Sequence, residues 1–312
     1  MKEISIVIPV YNEEKNIPVL IEAVRAAMDK YGKSYACIFI DDGSSDKTFE
    51  VIKGLKKAYP FLKGIKLKMN FGQTHAIVAG FDIAEGDVII TMDGDLQNDP
   101  DDIPRLLAKL DEGYDIVSGW RDKRKDPFLM RKLPSSMANW IISQMTGIKL
   151  HDFGCTLKAY KKGVVKNIKL YGEMHRFIPA IASYMGTRVA EIRVKHHNRR
   201  YGVSKYGISR ITKVLLDLIA VKLFLSYSRN PMRLFGAVAL GCFFLGFLCA
   251  ISTTIAKLTG QLPVTGNPVF FLMILMGIIG VQCILMGMLG EMNVRIYHEF
   301  SNRPIYVIDE AI

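Results

Sequence analysis

The stretch that decides the fold is "VIITMDGDLQNDPDD", residues 88–102. It opens as an apolar, β-branched run and then falls into acid. Asp93, Asp95, Asp99, Asp101 and Asp102 all follow Met92 at once. Such a run reads as a strand buried on both faces, as the strands of a parallel sheet are. Its acidic end then lies at the carboxyl edge, where open α/β sheets bind their ligands.

The flanking sequence repeats the pattern. "ISIVIPV" (4–10) is a strand ending at Tyr11-Asn12-Glu13, and "NIPVLIEAVRAAMDKYG" (16–32) has helical spacing with a glycine stop. "YACIFIDDGSSDKT" (35–48) is a second apolar run ending in acid, and "SDKTFEVIKGLKKAY" (45–59) begins with a capping residue and reads as helix. "FLKGIKLKMN" (61–70), "DVIITMDGD" (87–95) and "YDIVSGW" (114–120) read as further strands. "QTHAIVAGFDIAEG" (73–86) and "PDDIPRLLAKLDEG" (100–113) read as the helices between them. This alternation predicts an α/β fold: a Rossmann-type, mostly parallel sheet with helices on both faces. The strand ends carry Tyr11-Asn12-Glu13, Asp41-Asp42, Asn70, Asp93-Gly94-Asp95 and Gly119-Trp120-Arg121. One polar strand end is turn chemistry. Several aimed at one edge make a site.

Composition shifts near residue 233. Residues 234–256 carry no charge, and neither do residues 258–290. About 23 helical residues span roughly 34 Å, enough to cross a bilayer core. Two transmembrane helices are expected, at 234–256 and 269–290, joined through "TGQLPVTGNP". Lys213, Lys222, Arg229 and Arg233 precede the first, and Arg295 and Arg303 follow the second, which places both termini in the cytoplasm. Residues 204–233 are apolar on one side and basic on the other. They are expected to lie in the membrane interface, the alternative being an amphipathic helix packed on the domain. The expected division is a catalytic domain at 1–203, interface helices at 204–233, membrane helices within 234–290 and a cytoplasmic tail at 291–312. "ISIVIPV" is too short for a signal core and is followed by Asn12-Glu13-Glu14, so no targeting signal is expected.

With 41 Lys+Arg against 30 Asp+Glu the chain is at +11, which calls for an anionic partner. The charges flank membrane segments without interleaved aromatic residues, so nucleic acid is not that partner. The five cysteines include no CxxC pair and read as small core hydrophobes of a reduced protein. The six histidines show no metal spacing.

In an extended strand, residues i and i+2 point the same way, so Asp93 and Asp95 are expected to present both carboxylates to one side. A divalent cation removes the penalty of placing two anions together. With Gln97 they form an oxygen-only set that suits Mg²⁺ or Mn²⁺ rather than Zn²⁺. Asp99, Asp101 and Asp102 are expected only to feed the start of the next helix.

These residues carry a resemblance. "SIVIPVYNEEKNI", "DDGSSDKT", "NFGQTHAIVAG", "DGDLQNDP", "GWRDKR", "HDFGCTLKAY" and "RRYGVSKYG" together resemble the inverting glycosyltransferases of family 2, which have the GT-A-like fold. Within them the chain is most similar to the polyprenyl-phosphate (dolichyl-phosphate) branch, over nearly its whole length. The resemblance implies that Pro9, Tyr11, Glu13 and Asp42 hold the nucleoside of a UDP- or GDP-linked sugar. It implies that Asp93, Asp95 and Gln97 bind the metal that bridges the diphosphate. Arg121, with Arg131, would hold the acceptor phosphate, and Asp152 would sit near the sugar. Arg199, Arg200, Ser204 and Lys205 would form a basic loop over phosphate groups. Asp95, Asp152 and Arg121 are thus the expected catalytic residues. Gly94 stands where the family usually has alanine, Gln73-Thr74 replace a Lys-Glu pair, and Lys158 replaces arginine.

The implied function is transfer of a sugar to a polyprenyl phosphate at the cytoplasmic face of a membrane. A family 2 enzyme elongating a polysaccharide, and a membrane-tethered nucleotide-binding scaffold, are the alternatives. The glycines Gly236, Gly241, Gly277 and Gly280 in the apolar spans permit close helix approach, and a homo-oligomer, a tetramer, is expected.

Overall fold

The structure is a computed structural model that describes residues 3–121, 143, 148–168, 170, 174–184, 186–198, 231–260, 267–300 and 306–312. The chain divides into two units, one of residues 1–221 with 304–312 and one of residues 222–303.

The first unit is built on an eight-stranded sheet. In chain order its strands are β1 (Ile4–Val10), β2 (Tyr35–Asp41), β3 (Leu62–Leu67), β4 (Val88–Thr91), β5 (Ile116–Trp120), β6 (Lys158–Lys161), β7 (Val189–Arg193) and β8 (Ile308–Ala311). They lie side by side as β7-β5-β6-β4-β1-β2-β3-β8. The run β3-β2-β1-β4 is parallel throughout, as expected. β6 lies antiparallel between β4 and β5, and β8 closes the far edge antiparallel to β3, so the whole sheet is mixed.

The apolar spacing of the sequence produces two covering layers. In β1 the even-numbered Ile4, Ile6, Ile8 and Val10 share a buried cluster with Ile17, Leu20, Ile21, Val24 and Met28 of α1 (Ile17–Tyr31). Phe49 and Ile52 of α2 (Thr48–Lys56) and Ile103, Leu106, Leu107 and Leu110 of α4 (Ile103–Asp111) complete that layer. Each fully buried side chain of this size contributes about 1.5–3 kcal/mol. α1 ends where Gly32, at φ +76°, donates its N–H to the Met28 carbonyl at 3.0 Å, a left-handed cap. On the other face, Val7 meets Gly80 of α3 (Gln73–Ile83).

β1 lies between β2 and β4: the chain moves outward from β1 through β2 to β3 and then crosses back to place β4 on the other side of β1, so the strand order reverses here. The Val7 carbonyl accepts the Met92 N–H at 3.2 Å, so the odd-numbered residues of β1 turn their backbone toward β4. β4 stops at Thr91, and Pro9, which has no N–H, falls beyond that stop. The pairing ends there without orphaning a donor, and such a reversal of strand order is where open α/β sheets form their ligand crevice, at the carboxyl edge.

The C-terminal residues depart from the tail expected at 291–312. Residues 308–311 form β8, and Ile312 exchanges backbone hydrogen bonds with Gly64 at 2.8 and 3.1 Å. Tyr306 donates its hydroxyl to Asp82 at 2.9 Å.

The second unit is a pair of long helices, α5 (Pro231–Leu258) and α6 (Pro268–Phe300). Both run beyond the predicted spans. Their segments Phe235–Leu258 and Pro268–Asn293 are long and apolar enough to cross a membrane, and only 17% and 6% of their most apolar windows are buried. A soluble core hairpin would bury most of those residues. Gly280 packs under the Phe243 ring between the two helices, whereas Gly236, Gly241 and Gly277 face open space. Among the described residues all five cysteines are unpaired, three of them buried.

Candidate active site

The acidic stretch leaves β4 one residue before its methionine. Asp93–Asp95 therefore lie in the turn after the strand, and the period-two argument for their orientation does not apply. The turn itself brings the carboxylates together. Leu96 adopts φ +63° and the Gln97 N–H donates to Asp95 Oδ1 at 3.1 Å. Burial, with Asp95 beside it, pushes Asp93 up to about 6.

Each oxygen of Asp93 has a donor from a distant segment. Gln73 Nε2 donates to Oδ1 at 2.8 Å, and Thr156 Oγ1 donates to Oδ2 at 2.6 Å. The Asp93 N–H donates to Asn98 Oδ1 at 3.0 Å, which folds the turn back on itself. Asp99 accepts the Asp101 N–H at 3.0 Å and so caps the next turn, as expected. Asp102 does more than cap, because buried it accepts the Lys195 N–H at 2.6 Å and the Arg105 guanidinium at 2.7 Å.

Gly94 is required by close packing. A Cβ there would stand 2.6 Å from Val10 Cγ1, closer than such atoms approach. Gly94→Ala should therefore lower stability by about 1–3 kcal/mol. Thermal unfolding checks this, and Val10→Ala in the same chain should restore most of the loss.

At the end of β2, Asp41 accepts the Ser44 N–H at 2.9 Å, and Asp42 accepts the N–H groups of Phe71 and Gly72 at 2.8 and 2.9 Å. Burial raises both carboxyls, and at Asp42 the two amides oppose it. Gly43 turns this corner at φ +68° with its α-carbon against the Met69 backbone, where a side chain has no room. The loop after β1 is laced to the loop after β2: Asn12 Oδ1 accepts the Ser45 N–H at 2.9 Å, and the Glu13 N–H donates to Thr48 Oγ1 at 2.9 Å. The Glu13 carboxylate is engaged by Asn16, at the start of α1.

Across the crevice, Arg121 forms a two-pronged ion pair with Asp152. Nε donates to Oδ2 at 2.7 Å and Nη2 to Oδ1 at 3.0 Å. Burial works against the charge on Arg121, but Asp152 outweighs it and holds the guanidinium above its usual range. Glu191 supports the pair from β7 by accepting the Asp152 N–H at 3.0 Å. It also binds His151 Nδ1 at 2.7 Å, and the His151 ring stacks on Trp120 with centroids 4.1 Å apart. Arg193 covers the Trp120 ring at 4.9 Å.

Beneath lies Lys158, buried and pulled down to about 8 by desolvation, with its ammonium donating to the Phe153 and Cys155 carbonyls. His175, buried beside Thr74 with Oγ1 to Nδ1 at 2.7 Å, is held well below its usual value by burial.

The structure thus gathers Asp42, Asp93, Asp95, Arg121 and Asp152 at one sheet edge, with Pro9 and Tyr11 at the end of β1. Gln97 meets this edge through its backbone. Arg131, Arg199, Arg200, Ser204 and Lys205 lie outside the described residues. Thr156, Asn98 and Glu191 were not singled out by the sequence, and Gln73 was marked only as a departure from the family's usual pattern. Asn98 was within reach of it, standing in the acidic stretch itself.

Residues 5–169 match the model of the family described as glycosyl transferase family 2. The chain is 42% identical to dodecaprenyl-phosphate galacturonate synthase of Rhizobium johnstonii, covering 98% of this chain and 92% of that one. It is 38% identical to the undecaprenyl-phosphate 4-deoxy-4-formamido-L-arabinose transferase of Salmonella paratyphi A, covering 100% and 94%. Among solved structures, glucosyl-3-phosphoglycerate synthase from Mycobacterium tuberculosis, in complex with Mn²⁺, UDP-glucose and phosphoglyceric acid, superposes with a TM-score of 0.52. It is 18% identical and covers 72% of this chain and 79% of that chain, a likeness of fold. The chain belongs to glycosyl transferase family 2 and is a glycosyltransferase with a GT-A-like fold.

Proposed function

We propose that this protein moves a sugar from a nucleotide sugar to a polyprenyl phosphate at the cytoplasmic face of a membrane, with inversion. The observation that carries the reading is the pairing of this crevice with two membrane-length helices in one chain, at 42% and 38% identity to polyprenyl-phosphate sugar transferases.

Asp93 and Asp95 would hold a divalent cation. The fit rests on chemistry: two adjoining carboxylates supply hard oxygen ligands, and their mutual repulsion is what a cation relieves. Among the described residues no group of three His, Cys, Asp or Glu side chains is placed to hold a metal ion. Such a part-shell suits Mg²⁺ or Mn²⁺ shared with diphosphate oxygens, with Gln97 as a further ligand. When bound, the ion stabilises charge on the departing nucleoside diphosphate.

Pro9, Tyr11, Glu13 and Asp42 would hold the nucleoside. The acceptor phosphate is already an anion near neutral pH and needs positive charge more than a base. A guanidinium has five N–H groups and Asp152 takes two, so Arg121 can hold phosphate while Asp152 fixes its plane. Arg131, Arg199, Arg200, Ser204 and Lys205 would complete the phosphate sites. The helices would cross the membrane twice, with both termini cytoplasmic, 204–233 in the interface and the catalytic domain within 1–203. Gly236, Gly241 and Gly277, which face open space, would receive helices of other copies in a homo-oligomer, a tetramer.

The purified full chain, incubated with Mn²⁺, undecaprenyl phosphate and radiolabelled nucleotide sugars in turn, should transfer label to lipid from one of them. Label appearing only as free sugar or in a polysaccharide would overturn the reading.

A further inference from the structure

Three consecutive residues at the start of α3 tie together two carboxylates that belong to different strands. Phe71 and Gly72 give their N–H groups to Asp42, at the end of β2, at 2.8 and 2.9 Å. The next residue, Gln73, gives its side-chain amide to Asp93, beyond the end of β4, at 2.8 Å. β1 stands between those strands, so the segment links the loops on either side of the carboxyl end of β1. Thr156 holds the other oxygen of Asp93 from the β6 side at 2.6 Å. Both donors are neutral. A neutral donor fixes a carboxylate's plane and leaves its charge intact, whereas an ammonium at the same place would neutralise it.

We propose that Gln73 is a positioning residue for the divalent cation. It holds Asp93 in the orientation that a cation meets, places no competing positive charge on that carboxylate, and ties it to Asp42 through Phe71 and Gly72. This rests on the reading of Asp93 and Asp95 as cation ligands. Gln73 itself touches neither cation nor sugar, and it acts through Asp93. The adjacent Thr74 is turned away onto His175 at 2.7 Å, so the two side chains of this turn have separate tasks.

The test is Mn²⁺ binding by the purified full chain, read from the paramagnetic resonance signal of the free ion, alone and with UDP or GDP added. Gln73→Met keeps the side chain's length and removes the donor, and should weaken Mn²⁺ binding about tenfold. Gln73→Lys adds a competing positive charge and should weaken it further. Thermal unfolding identifies variants that fold as the parent does, and either one suffices. The proposal is overturned if Asp95→Asn loses Mn²⁺ while both Gln73 variants bind it as the parent chain does. If Asp95→Asn also binds Mn²⁺ unchanged, the cation reading itself fails, and the role of Gln73 with it.

Discussion

Asp95→Asn is expected to abolish sugar transfer while leaving the fold intact. The substitution keeps shape and the hydrogen bond from the Gln97 N–H, but it removes one of two adjoining charges in a nearly buried turn. A cation held by Asp93 alone would be bound weakly and placed poorly against the diphosphate. The ion's charge stabilisation of the leaving group is worth several kcal/mol, so turnover should fall on the order of a thousandfold. Chelation of the parent enzyme should do the same, and added Mn²⁺ or Mg²⁺ should restore it. Asp101→Asn is the control, since that side chain is exposed and lies outside the crevice. Full turnover by Asp95→Asn in excess chelator would remove the cation from the account.

The parts of this site that were legible are those where local sequence and position agree. β1, β2 and β4 are short apolar runs, and each ends in polar residues because a parallel strand must leave the core at its carboxyl edge. Nothing comparable marks β6. "KAYK" is too short and too basic to read as a strand, and it exists because β4 and β5 pair with it from both sides. Thr156, just before it, therefore reaches Asp93 across 63 positions of chain, a contact that no periodicity announces. β8 escaped notice for the same reason: its residues are mostly exposed, and only the edge of β3 makes them a strand. The expected pairing of Asp93 with Asp95 on an extended strand differs from the structure, where a turn beyond the strand brings them together. Glu191 illustrates the remaining blind spot. It sits in an unremarkable strand, and its role depends on β7 lying beside β5, which places it next to His151 and Asp152.

That same support makes the Arg121–Asp152 pair the second place where a large effect is expected, and one where two substitutions should part company. Both side chains are mostly out of water, at 13% and 5% exposure, and the pairing is two-pronged. Removing one partner from such a pair leaves an uncompensated buried charge and costs about 3–5 kcal/mol. Arg121→Ala should therefore lower the unfolding temperature and also raise the apparent KM for polyprenyl phosphate about ten- to a hundredfold, since a charged hydrogen bond to phosphate is lost. Asp152→Asn removes the carboxylate that competes with phosphate for the guanidinium. Its acceptor KM should stay level or fall, while kcat drops because the guanidinium plane is no longer fixed. Arg121→Lys keeps the charge but loses the fork, and should fall between the two. Affinity for nucleoside diphosphate with Mn²⁺, measured by calorimetry, should change little in all three. If nucleotide affinity falls with Arg121→Ala and the acceptor KM holds, the guanidinium serves the donor, and the acceptor phosphate is bound elsewhere.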